Sequence, residues 1–139
     1  MILLDLNVLL DVVQKREPHY AASAGVIELA VCGDAQAALP VHAITTVHYI
    51  VWRYQGGGKA NEVVDWLLRY FEVATVGHAQ LSRARALNWT DFEDAVVAAA
   101  AESSGCQAVI TRNVKDFAHS PVPAMTPEEY LLSIDVNID

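Results

Sequence analysis

Three aspartates carry the chemical promise of this sequence. Asp5 follows the apolar run Ile2-Leu3-Leu4, Asp94 heads the stretch "DAVVAAAAESSG", and Asp116 follows "AVITRNVK". Asp91 and Glu93 crowd around Asp94. Acids three positions apart on a helix share a face, and like charges there destabilise it. If that face also meets Asp5 and Asp116 in a partly buried site, the repulsion grows, and a bound divalent cation is the simplest relief. Carboxylate oxygens suit Mg²⁺ or Mn²⁺ rather than zinc. Such an ion can lower the pKa of a water, orient it, and offset charge on a phosphodiester under attack. Asp5, Asp94 and Asp116 are therefore the expected metal ligands.

The neighbouring residues divide between structure and chemistry. Thr90-x-x-Glu93 fits a capping box, which gives Glu93 a structural role. Acids in a first helical turn also favour the helix dipole, by about 0.3–1 kcal/mol each. Asn7 is placed to cap a helix after Asp5. Thr111 and Asn113 can hold their loop and orient an aspartate through hydrogen bonds. Arg112 and Lys115 flank the acids and could meet phosphates, although solvated loop charges would look the same.

The elements that must position these residues alternate between strand and helix. Ile2–Leu4 reads as a short strand, apolar on both faces. A short helix follows, and a second is expected from Tyr20 to Cys32 behind Pro18, stopped by Gly33. Further expectations are a strand at Ala37–Leu39, a helix at Ala43–Tyr54, a break at "QGGG" (Gln55–Gly58), a helix at Lys59–Tyr70, a strand at Phe71–Val76 and a helix at Ala79–Leu87. Thr90–Ser103 is the clearest helix, Ala108–Ile110 is a strand, and Pro121 and Pro123 enclose a last one. Thr126-Pro127-Glu128-Glu129 opens a terminal helix with a capping threonine, proline in the first position and acids in the first turn. This alternation predicts an α/β fold, a three-layer α/β/α sandwich with a mostly parallel central sheet. In such a sheet the useful edge is the carboxyl end of the strands, where Asp5 and the loop bearing Asp116 should emerge.

Bulk properties narrow the classes. The 139 residues, 53% of them hydrophobic, fit one folded domain spanning 1–139 and exclude a disordered chain. A net charge of −8 argues against broad, non-specific nucleic-acid binding. It does not exclude a nucleic-acid substrate at a site where an ion offsets the acids. Cys32 and Cys106 lack metal or disulfide spacing and read as two buried thiols in a reducing compartment. No stretch reaches the about 20 apolar residues of a membrane span, and no signal peptide is visible. A cytoplasmic protein without membrane association is the expectation.

Taken together, "LLDLNVLLD" (Leu3–Asp11), "DAVVAAAAESSG" (Asp94–Gly105) and "AVITRNVKDF" (Ala108–Phe117) resemble the PIN-domain family of metal-dependent ribonucleases, which includes the toxins of VapBC-type toxin–antitoxin pairs. The resemblance implies Mg²⁺- or Mn²⁺-dependent cleavage of RNA, a homodimer, and an antitoxin protein as partner. It maps the family's acids onto Asp5, Asp94 and Asp116. One departure concerns "AITTVHYIV", which puts His48 where the family usually carries a glutamate. Histidine is a poor ligand for Mg²⁺ and an acceptable one for Mn²⁺. His48 is thus read as holding a water or contacting substrate, and Asp91 as the carboxylate that replaces the missing charge. His42, nearby, is ranked below His48. Trp52, Trp66 and Trp89 are read as core or dimer surface.

Three other functions compete. A haloacid-dehalogenase-type phosphatase would need a second aspartate where Asn7 stands. A receiver domain would need an acceptor aspartate after the third strand, and "FEVATVG" has none. A catalytically weakened PIN domain that only binds RNA or protein is the alternative kept open by His48.

Overall fold

The computed structural model describes residues 1–138. Its strands are β1 (Ile2–Leu4), β2 (Ala37–Pro40), β3 (Glu72–Ala74), β4 (Ala108–Ile110) and β5 (Ala124–Met125). Its helices are α1 (Leu6–Val13), α2 (Tyr20–Val31), α3 (Val41–Gln55), α4 (Gly57–Tyr70), α5 (His78–Leu87), α6 (Phe92–Ser103) and α7 (Pro127–Ile138). The strands form one five-stranded sheet in the order β3-β2-β1-β4-β5. Every pairing is parallel, with Ile2 beside both Ala37 and Ala108, and Leu4 beside Ile110.

Strand side chains alternate between two cores, as the pleat requires. Ile2, Leu4, Leu39, Ala108 and Ile110 pack with Val8, Val26, Val47 and Leu67 of α1 to α4. Leu3, Ala38, Ala74 and Val109 pack with Val97, Ala98 and Ala101 of α6. Both sheet faces are covered, so the expected three-layer α/β/α sandwich is what forms. Small alanines let α6 approach the sheet closely, and Ala84 of α5 seats against Ala95 and Ala99 behind it.

Several local expectations change. Asp5, not Asn7, caps α1: its Oδ1 accepts from the Leu6 backbone N–H at 2.8 Å. Asp91, not Thr90, caps α6, accepting from the Asp94 N–H at 3.0 Å. The Thr90–Glu93 capping box is therefore not made. An aspartate one position later offers a shorter, charged acceptor, which a helix N-terminus favours. The "QGGG" break shrinks to Gly56, whose φ of +87° turns the chain between α3 and α4; a side chain there would be strained. The third strand is only Glu72–Ala74, and the last begins after Pro123. The terminal helix does start at Pro127, with Thr126 and Glu129 bonded reciprocally at 3.1 and 3.3 Å. Cys106 is buried, but Cys32 is exposed at the end of α2.

From β1 the chain runs outward to β2 and β3, then crosses back to β4 and β5 on the other side of β1. The crevice of an open parallel sheet lies at the carboxyl ends of strands flanking such a switch. Asp5 leaves β1 there, and Thr111 leaves β4 beside it, with the Asp5 N–H bonded to the Ile110 carbonyl at 2.9 Å.

Candidate active site

Asp5 is held from two sides. Its Oδ1 caps α1, and its Oδ2 accepts from the Thr111 hydroxyl at 2.9 Å and, more weakly, from Asn7 Nδ2 at 3.5 Å. Asn7 reaches on to Thr111 Oγ1 at 3.2 Å and accepts the Arg112 N–H at 3.2 Å. The Asn113 N–H donates to Thr111 Oγ1 at 3.0 Å. Thr111 is fully buried, so one hydroxyl fixes both the Asp5 carboxylate and the "TRN" loop. Asp5 is only 7% exposed. Burial pushes its pKa up, while the Thr111 and Leu6 hydrogen bonds and the nearby His42 pull it down, and Glu93 pushes it up.

The other acids face a cavity of about 430 Å³ lined by Trp89, Thr90, Asp91, Asp94, Lys115, Asp116, Ala118 and His119. Asp91 arrives as the cap of α6, Asp94 from its first turn, and Asp116 from the short 3₁₀ turn Val114–Phe117. Asp94 carries the strongest mark of the crowding. Its pKa rises from 3.8 to about 7, chiefly because burial penalises the charge, then because Asp91, Asp5, Asp116 and Glu93 repel it. The four named neighbours place Asp94 at the electrical centre of the site. Asp5 sits beside this cavity rather than in its lining.

Lys115 lines the cavity, but Arg112 does not. Its Nε donates to Asp11 Oδ2 at 2.9 Å, and Ser23 Oγ donates to the same oxygen at 2.8 Å. Asp11 is wholly buried, and among the described residues its Oδ1 has no hydrogen-bond partner. The guanidinium expected at a phosphate thus neutralises an internal carboxylate, because an unpaired buried charge would cost far more. The pair ties α1 and α2 to the loop after β4.

His48 also departs from expectation. It bonds Asn61 Oδ1 of α4 at 3.3 Å and is absent from the cavity lining. The histidine of α3 that reaches the acids is His42, which lies in the first turn of α3. Its Nε2 approaches Glu93 Oε1 at 3.5 Å without hydrogen-bond geometry. His48 lies six positions further along the helix, about 9 Å along the axis. His119 was not foreseen either; it has no motif around it, and only the fold brings it to the cavity.

The donor set suits an oxygen-seeking ion. It is all carboxylate, its central member is destabilised by like charge, and a divalent cation would reverse that penalty. Among the described residues, no three His, Cys, Asp or Glu side chains are gathered into a ready-made cage. An ion that keeps most of its waters takes only one or two protein carboxylates directly, a number that these acids can supply.

The sequence pattern of a PIN domain matches residues 1–115. The chain belongs to the PIN domain family. Among curated proteins, Ribonuclease VapC1 of Aquifex aeolicus (strain VF5) is 22% identical over 134 residues, covering 93% of this chain and 92% of that protein. Solved structures share the fold. A toxin–antitoxin complex from Klebsiella pneumoniae superposes with a TM-score of 0.71 at 23% identity, covering 91% of this chain and 98% of that one. VapBC-1 from nontypeable Haemophilus influenzae gives 0.70 at 15% identity, covering 92% and 99%. Mycobacterium tuberculosis VapC20, a sarcin–ricin-loop-cleaving toxin, gives 0.63 at 14% identity, covering 85% and 94%. This PIN domain therefore keeps the family's fold with acids at its switch point, and it presents His42, rather than His48, to them.

Proposed function

We propose that this PIN domain is a metal-dependent endoribonuclease that hydrolyses RNA phosphodiester bonds, acting as the toxin of a toxin–antitoxin pair. The observation that carries the reading is the cavity in which Asp91, Asp94 and Asp116 meet Lys115 and His119, with Asp94 pushed up to about 7. Carboxylates that repel one another beside a lysine and a histidine form a place for a divalent ion and a phosphate together.

Asp94 and Asp116 would hold Mg²⁺ or Mn²⁺, which when bound supplies positive charge to the phosphate and a water of lowered pKa. Asp5 adds a fixed negative charge behind them. Thr111 and the Leu6 N–H hold its carboxylate in one orientation. Asp91 both caps α6 and keeps the field at Asp94 negative. Lys115 and His119, which line the same cavity, would meet non-bridging phosphate oxygens. In the reaction a water oxygen forms a new bond to phosphorus, the bond to one ribose oxygen breaks, and the proton lost by water is matched by one gained at that leaving oxygen. Asn113 holds the loop that carries Lys115 and Asp116 through its backbone.

The partner reading rests on relatives described as toxin–antitoxin complexes and on exposed apolar residues of α3, namely Tyr49, Trp52 and Tyr54. We infer an antitoxin protein and a homodimer in the cytoplasm; among the described residues no helix is long and apolar enough to cross a membrane. The test is incubation of the purified chain with mixed RNA in Mg²⁺, Mn²⁺ or EDTA, with Asp116→Asn as control. Metal-dependent cutting lost in the variant supports the reading. Binding without cutting under either metal would leave a weakened, RNA-binding PIN domain.

A further inference from the structure

A second cavity, of about 360 Å³, shares one lining residue, Trp89, with the acid cavity; it is lined by Ala84, Arg85, Asn88, Trp89 and Phe92. We propose that it is a stacking subsite for one unpaired base of the RNA strand whose phosphate is cut at the acids. The proposal deepens the ribonuclease reading and rests on it.

Four observations support this occupant. The first is continuity. The opening of α6 divides between the two cavities, Asp91 and Asp94 lining one and Phe92 the other. A strand whose phosphate lies at Asp94 and Asp116 would place an adjoining nucleotide within reach of Trp89 and Phe92. The second is charge. Within a chain of net charge −8, this lining holds a guanidinium and no carboxylate, which suits a polyanion's neighbour rather than a second metal.

The third is the aromatic content. Phe92 is 46% exposed, and among the described residues it has no aromatic partner. Trp89 is anchored edge-on against Phe117, with ring centroids 5.7 Å apart, and still borders both cavities. A fixed ring and an exposed one are the components on which unpaired bases stack. The fourth is the polar rim. Asn88 closes α5 in the left-handed region at φ 58°, and its Oδ1 accepts from Arg85 Nη1 at 3.1 Å. That bond leaves the Asn88 amide N–H₂ as a donor for a base edge and ties together two residues of the lining. The volume lies within the range of small-ligand pockets, roughly 300–1,000 Å³.

The test measures affinity separately from cutting. Phe92→Ala and Arg85→Ala are made in an Asp116→Asn background, and anisotropy titrations with a labelled single-stranded oligoribonucleotide are run in Mg²⁺; cleavage by the parent chain is assayed in parallel. Phe92→Ala is expected to weaken binding roughly tenfold, the effect of losing one base–aromatic stack, and Arg85→Ala to weaken it in the same direction by removing the cation of the rim. Scanning a single abasic position along the oligonucleotide should find one site whose loss weakens the parent similarly and weakens Phe92→Ala no further. Unchanged affinity in both variants, with the parent still cutting RNA, overturns the subsite and leaves the ribonuclease. A parent that neither cuts nor binds RNA overturns both. Sedimentation of the same samples gives a further outcome: a dimer dissociated by Phe92→Ala, with RNA affinity unchanged, would mark this cavity as a protein interface and end the proposal.

Discussion

Asp94→Asn should make the metal-free protein more stable while removing its activity. The Asp94 carboxyl titrates near 7 in the fold against 3.8 in the free chain. Between those values the folded protein holds a proton that the unfolded chain has lost. Stability therefore falls as pH rises from about 4 to about 7. Above that window, a carboxyl so displaced costs the fold at most about 4 kcal/mol. The side chain opens onto a solvent-filled cavity, and water screens part of the repulsion, so about 1–2 kcal/mol is the realistic cost. Asparagine removes the charge and leaves the backbone bond from Asp94 N–H to Asp91 in place. It gives up a helix-dipole interaction of about 0.3–1 kcal/mol, already contained in that net figure. In EDTA at pH 8, the variant should melt about 3–8 °C above the parent. At pH 4 the gain should vanish, because Asp94 is then protonated in the folded parent. Calorimetry at both pH values, with and without Mn²⁺, reads this directly. Mn²⁺ should raise the parent's melting temperature more than the variant's, since the ion stabilises only the state that binds it. A variant less stable than the parent at pH 8, or equally stabilised at pH 4, would refute the repulsion argument.

Thr111→Val should cost about 1–3 kcal/mol in urea unfolding, since it leaves Asp5 Oδ2 and the Asn113 N–H without their shared partner; RNA cleavage should fall with it. Asp11→Ala should cost about 3–5 kcal/mol by the same measurement, because it strands the Arg112 guanidinium, whereas replacing both partners by apolar residues should cost less. His42→Gln should change cleavage kinetics, and His48→Gln, bonded to Asn61 on the outer helices, should leave them within about twofold. EDTA should abolish cleavage and added Mg²⁺ or Mn²⁺ should restore it, as gel assays of RNA will report.

The sequence alone determined the architecture and the acids' meeting place. Alternating apolar strands and helices permit few arrangements, and a parallel sheet brings its strand ends to one edge. Asp5 after β1 and the loop after β4 had to arrive there together. Local pattern was less decisive about caps: Thr90 and Asp91 compete for one helix terminus, and the aspartate with its charged acceptor takes it. Only tertiary structure decided which charged residues face the cavity. Arg112 and Lys115 are alike in sequence, yet buried Asp11, a hundred residues away in the chain, captures the first and leaves the second at the site. His42 and His48 share one helix, and the direction of that helix against the sheet, invisible in a linear string, gives the acids the earlier of the two. Side-chain partners separated by a long stretch of chain are chosen by packing and by the cost of an unpaired buried charge, and neither quantity is written in local spacing.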